Sequence, residues 1–147
     1  VAARDDLFGQ LMTRLQTAIE QHGAASAIGV CQEAAPTIAR AVGEARNLSI
    51  GRTSWKLRNP KNQPPAWAMA LVEARTEGPS ALAHPDGRLG VLLPIRLKSQ
   101  CLACHGAMEA IPAEVRRALK TRYPDDAATG FAEGDLRGWF WVEVPSE

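Results

Sequence analysis

The sequence predicts an α+β fold, with long N-terminal helices packed on a small, mainly antiparallel sheet. Three observations predict it. Apolar residues in the first third recur at steps of three and four, the period of an amphipathic helix. The remainder carries short β-branched and aromatic runs separated by Gly and Pro. The chain is 147 residues long, enough for one real core, and shows no internal repeat, low-complexity tract or domain boundary. Residues 1–147 are therefore read as a single domain.

The elements follow in order. Leu7, Leu11, Leu15, Ala18, Ile19 and His22 predict a helix over about Asp5 to Gln21, stopped by Gly23. Ile28, Cys31, Ala35, Ile38 and Val42 continue with helical spacing from about Ala24 to Arg46, in a helix or pair of helices with a bend expected at Pro36. Cys31 falls on the buried stripe. Ser49 to Arg58 can hold a short strand, and Asn59 to Pro65 is loop. Pro65 opens a helix carrying Trp67, Leu71 and Ala74 to about Arg75, ended by Glu77-Gly78-Pro79. Leu89 to Leu97 reads as a buried strand, and Pro112 to Arg122 as a helix with Val115, Leu119 and Tyr123 on one face. Gly130, Gly134 and Gly138 mark turns before a last strand, Trp139 to Val144.

Composition narrows the function classes. The 46% hydrophobic and 22% charged fractions are those of an ordinary globular protein. Seventeen basic against 16 acidic residues leave a net charge of +1, which sets up no field to recruit nucleic acid. No apolar run approaches the roughly 20 residues of a membrane helix. Val1 opens directly into a polar, helix-like stretch with no signal peptide, so an exported protein would be represented here by its mature or trimmed form.

Three cysteines are an odd number for a disulfide framework. Two of them stand in Cys101-Leu102-Ala103-Cys104-His105-Gly106. Two thiols three residues apart can each form a thioether to one vinyl group of the same haem, and the adjacent imidazole then becomes the proximal iron ligand. A zinc site would want four ligands, with only Cys31, His22 and His84 left to complete it. A thioredoxin-like redox pair is expected in a βαβ context that is missing here. A disulfide across so short a loop gains little. The pattern thus predicts one covalently attached haem c on Cys101, Cys104 and His105.

The sixth iron position is open to His22, His84, Cys31, Met12, Met69 and Met108. Met108 lies too near His105 in sequence to reach the opposite face. His84 sits in the turn Ala83-His84-Pro85-Asp86-Gly87 and reads as solvated, and His22 suits a helix C-terminus without any ligand role. Cys31 has two readings, a buried free cysteine acting as a small hydrophobe or a thiolate ligand. Export favours the second, because a free thiol outside the cytoplasm is exposed to oxidation.

Several segments together carry a resemblance: Cys31-Gln32-Glu33-Ala34-Ala35-Pro36, Gly51-Arg52-Thr53-Ser54-Trp55-Lys56-Leu57-Arg58-Asn59-Pro60-Lys61-Asn62, and Gly90-Val91-Leu92-Leu93-Pro94-Ile95. The haem motif, Tyr123-Pro124-Asp125-Asp126 and the run Gly130 to Gly138 belong with them. From about Ile28 to Val144 the chain resembles a bacterial family of single-haem c-type proteins, the Tll-type haem domain, often fused to sensor proteins. The resemblance implies a PAS-like fold with long N-terminal helices, and iron held by His105 and Cys31. One departure is Pro65-Ala66-Trp67-Ala68, where the family pattern has acidic residues around the Trp.

The two haem propionates need cationic partners, and Arg offers a planar fork. Arg52 and Arg58 in the family-like loop are the first candidates, ahead of Lys56 and Arg137. Trp55, Trp139, Phe140 and Trp141 are candidates to wall the pocket, or equally for ordinary core. The function expected is a periplasmic sensor of redox state or of a small gaseous ligand or oxidant, working by exchange of the Cys31 ligand. The alternative is an electron-transfer cytochrome with a redox partner protein. No enzymatic activity is expected, since a peroxidase would require a distal acid or base that no residue is placed to supply. Oligomeric state is left open.

Overall fold

A computed structural model describes residues 1–146. Helix α1 (Ala2–His22) and helix α2 (Ser26–Arg46) form an antiparallel pair joined by a turn in which Gly23 takes φ 84. The Ser26 hydroxyl donates to the Ala18 and Gly23 carbonyls at 2.8 and 2.6 Å, tying the two helix ends together. Both helices fall within three residues of the predicted bounds. Pro36 lies inside α2, which continues past it to Arg46. Its missing N–H leaves the Gln32 carbonyl without a helical donor, one residue beyond Cys31.

Four strands follow: β1 (Ser49–Thr53), β2 (Ser80–Ala83), β3 (Leu89–Arg96) and β4 (Leu136–Val144). They form one antiparallel sheet in the order β1-β4-β3-β2, with Ile50 opposite Val142 and Leu92 opposite Trp141. The predicted α+β, PAS-like plan of an antiparallel sheet behind long N-terminal helices is what the chain adopts.

Successive residues of a strand point to opposite faces, and both faces of the central strands are covered. On one face Leu93, Phe140, Val142 and Ile50 pack with Ala3, Leu7, Ile38 and Val42 of the helix pair. On the other, Leu92, Trp139 and Leu136 pack with Ala68 and Val72. Those last two come from a 3-10 turn (Ala66–Ala68) and the short helix α3 (Met69–Glu73). This two-sided burial is why β3 and β4 read as continuous apolar runs rather than as alternating ones.

Several local expectations are corrected. β2 was not foreseen, because Ser-Ala-Leu-Ala lacks the β-branched and aromatic residues that signal a strand; it is recruited as an edge by β3. The element after Pro65 is shorter than predicted, since the backbone turns left-handed at Arg75 (φ 50) and the Thr76 N–H closes back on the Leu71 carbonyl. Gly138 is no turn residue but lies inside β4, where a Cβ would fall 2.3 Å from the Thr53 carbonyl oxygen. His84 is half-buried against the edge of Trp67, not solvated. Its Nε2 is the one buried polar side-chain atom without a partner among the described residues. Trp67 itself donates to Glu143 at 3.0 Å, so its acidic neighbour comes from β4 rather than from the local sequence.

Candidate functional site

The motif Cys101 to His105 begins in a 3-10 turn (Ser99–Cys101) and continues as one turn of helix, α4 (Leu102–His105). A second short 3-10 turn (Met108–Ala110) leads to helix α5 (Ala113–Arg122), which packs on α2. Ile28 of α2 joins Ile111, Val115, Leu119 and Tyr123, with Cys104 against this cluster. At the other end of the motif, Cys101 and Leu102 pack with Trp55, Leu97, Ala128 and Phe131. The three cysteines are free thiols, each half-buried.

The loop after α5 clasps this motif. Gly130 N–H donates to the Gly106 carbonyl at 2.8 Å and Phe131 N–H to the His105 carbonyl at 3.0 Å. Lys56 Nζ donates to the Thr129 carbonyl at 2.8 Å. His105 Nδ1 lies 2.7 Å from the Ala128 carbonyl oxygen. A carbonyl can only accept, so Nδ1 carries the proton and the neutral ring presents Nε2 as its lone-pair donor. Burial, then the nearby Arg58 and Arg137 cations, hold the imidazole well below its ordinary pKa, so it stays neutral at pH 7. Phe131 meets the His105 ring edge-on, with centroids 6.4 Å apart.

Cys31 stands on α2, inside electrostatic range of Cys104, Tyr123 and Arg137. It lines a cavity of about 720 Å³ between α2 and the edge strand β1, together with Ala35, Pro36, Arg52 and Trp141. Cys101, Cys104 and His105 do not line that cavity, so Cys31 and the motif do not share one wall. Arg122 of α5 donates to Gln32 and Glu33 at 2.9 and 2.8 Å, steadying the α2 turn that holds Cys31. Of the aromatic candidates, Trp141 lines the cavity, its indole lying over Gly51 where a Cβ would come within 2.5 Å of the ring. Trp55 stacks edge-on against Phe131 and Trp139, while Trp139 and Phe140 are buried in the two cores.

The arginines divide by role. Arg52, half-buried on the cavity wall, makes no hydrogen bond or ion pair among the described residues. Arg58 is committed: its guanidinium pairs with Asp126 at 3.1 Å, and the two side chains are 8% and 9% exposed. It also donates to the Cys104 carbonyl and, at 3.2 Å, to the Ala128 carbonyl. Arg137 is more deeply placed than its turn-like sequence context suggested, and donates to the Lys56 carbonyl at 3.1 Å. Burial and the neighbouring Arg58 and Arg52 cations push its pKa down to about 10. Asp126, Ala128 and Phe131 were not singled out from sequence. The usable signal was Asp126 two residues before Ala128, since an Asp that accepts the N–H two positions on builds an Asx turn, here at 2.8 Å.

The donor set fits a haem. Three guanidinium groups face one carboxylate, an excess of positive charge suited to a dianionic ligand. Two free thiols precede, in the same short helical segment, a neutral imidazole whose other nitrogen is held, the usual condition for a metal-ligating histidine. Among the described residues no three His, Cys, Asp or Glu side chains close on one point, as a bare metal ion would require.

No curated protein matches the sequence. Among solved structures, the crystal structure of the cyanobacterial heme-protein Tll0287 is similar, with a TM-score of 0.63 and 27% identity over 76% of this chain and 70% of that one. The model of the Tll0287-like family matches residues 2–145, and the chain belongs to that family.

Proposed function

We propose that the chain is a c-type haem protein whose iron is held by His105 and Cys31 and whose haem is bonded to Cys101 and Cys104. The observation that carries this is the His105 ring, fixed by Ala128 through Nδ1, neutral, and carried on the same helical turn as two free thiols. The solved relative is itself a heme-protein. Each thioether forms by addition of a thiol S–H across a vinyl double bond, so attachment consumes no external oxidant. Bound there, the haem would supply a one-electron couple and an axial site for a small ligand. Arg52, which has no partner among the described residues, would pair with a propionate. Attachment of this kind belongs to an exported, periplasmic protein.

Of the two roles, sensing has a structural feature in its favour. Cys31 sits next to the turn of α2 that Pro36 deprives of a hydrogen bond, so that segment can shift at lower cost than an unbroken helix. The protein would respond to potential, oxidant or a small gas by releasing Cys31. The test is the absorption spectrum of oxidised and reduced protein beside Cys31→Ala. A pyridine haemochrome of the thioether type and a ferric spectrum altered in Cys31→Ala are expected, with rapid CO or NO uptake on reduction. An unchanged ferric spectrum in the variant rules out the Cys31 ligand, and inertness to CO and NO with fast reversible electron exchange favours the electron carrier.

A further inference from the structure

We propose that Arg58 is a positioning residue that tunes the donor strength of His105 by sharing the Ala128 carbonyl with it. This deepens the haem reading above and rests on it. The Ala128 oxygen accepts from His105 Nδ1 at 2.7 Å and from Arg58 Nη2 at 3.2 Å, using both of its lone pairs. The same residue is gripped on its other side, where Ala128 N–H donates to Asp126 Oδ1 at 2.8 Å. Asp126 in turn accepts from Arg58 Nε at 3.1 Å and pairs with Nη2 at 3.1 Å. One buried ion pair therefore holds both the N–H and the C=O of the single residue that orients the imidazole.

The arrangement has an electronic consequence as well as a mechanical one. The stronger the acceptor on Nδ1–H, the more anionic the ring becomes and the more density Nε2 donates. A cation on the same oxygen draws density from it and weakens it as an acceptor. Arg58 thus keeps His105 a moderate donor, while Asp126 limits that effect by neutralising Arg58. The guanidinium is also spent on these contacts, which distinguishes it from Arg52 as a counter-ion for the cofactor.

The experiment compares haem-loaded parent protein with Arg58→Lys, Arg58→Gln, Asp126→Asn and Arg52→Gln, all in the Cys31→Ala background where reduced iron keeps His105 as its one protein ligand, reading the iron–histidine stretch by resonance Raman and the reduction potential. Arg58→Lys keeps the charge but cannot span Asp126 and two carbonyls at once. Both Arg58 variants are expected to raise the stretching frequency and lower the potential. Asp126→Asn preserves shape, leaves Arg58 unneutralised, and is expected to move both readouts the opposite way. Arg52→Gln removes a charge without touching Ala128 and should leave the stretch at its parent value. The proposal is overturned if Arg58→Lys keeps the parent stretch, or if Arg52→Gln shifts it as far as Arg58→Gln does. Should the Arg58 variants fail to fold, an Asp126→Asn stretch equal to the parent's overturns it alone. A chain with no haemochrome would instead refute the haem reading. The ¹⁵N shift of His105 Nδ1 in the haem-free chain then decides the Arg58 role: it should differ between wild type and Asp126→Asn, and equality overturns the proposal.

Discussion

Two regions of the molecule are held together by different physics. Between the helix pair and the sheet, Leu7, Ile38, Val42, Ile50, Leu93 and Phe140 form an apolar contact that is non-directional and tolerant of small displacements. Around the Cys101–His105 motif the contacts are instead directional: Arg58 to Asp126, Cys104 and Ala128, His105 to Ala128, Gly130 to Gly106, Phe131 to His105. The apolar seat fixes where α2 and the sheet lie. The polar clasp fixes where one imidazole points. Cys31 stands on α2, which the seat positions, and His105 on the clasp, so the two proposed iron ligands come from regions held by different physics.

The comparison is broken most sharply by removing one residue from each region. Asp126→Ala leaves the Arg58 cation buried without its counter-charge and the Ala128 N–H unpaired, and is expected to cost about 3–5 kcal/mol. Phe140→Ala opens a cavity between sheet and helices, and is expected to cost a similar amount, about 3–5 kcal/mol. The two should part in the cofactor signal. Asp126→Ala should broaden the haem spectrum and speed amide exchange at Gly130 and Phe131 under native conditions, whereas Phe140→Ala should lower the denaturation midpoint and leave the spectrum intact. Denaturant titrations with exchange measured at those two amides check both. An Asp126→Ala protein as stable as wild type would mean that the clasp is held by packing after all.

How much of each region could be read in the sequence follows from the same contrast. Apolar burial writes itself into spacing, so α1, α2, β3 and β4 were legible from Leu7, Leu11, Ile38, Val42, Leu92, Leu93 and Phe140. The motif cysteines and His105 stood out as candidate chemistry, because thioether attachment of a haem would demand that spacing. The clasp was not. Arg58 and Asp126 are 68 residues apart in sequence and carry no period, and a backbone carbonyl such as that of Ala128 has no sequence signature. Arg58 read as a partner for a haem propionate because nothing local reveals an internal partner so distant. β2 failed for a different reason, since its four small residues become a strand only when β3 is present to pair with them.

Smaller changes sharpen the comparison at the seam. Pro36→Ala returns a donor to the Gln32 carbonyl and should stabilise the protein by about 1–3 kcal/mol. If the loosened turn is what lets Cys31 leave, CO uptake by the reduced variant should slow as well. Equal uptake in both proteins would place the freedom of Cys31 elsewhere. The least effect is expected from Arg46→Ala, which breaks the ion pair between Arg46 at the end of α2 and Asp6 at the start of α1. Those side chains are 40% and 46% exposed, so water already screens the pair and the loss should stay below about 1 kcal/mol. The same chemical pairing, guanidinium with carboxylate, is thus expected to differ several-fold in worth between Arg46–Asp6 and Arg58–Asp126. If thermal melts instead put the two losses level, burial would not be what gives the clasp its strength.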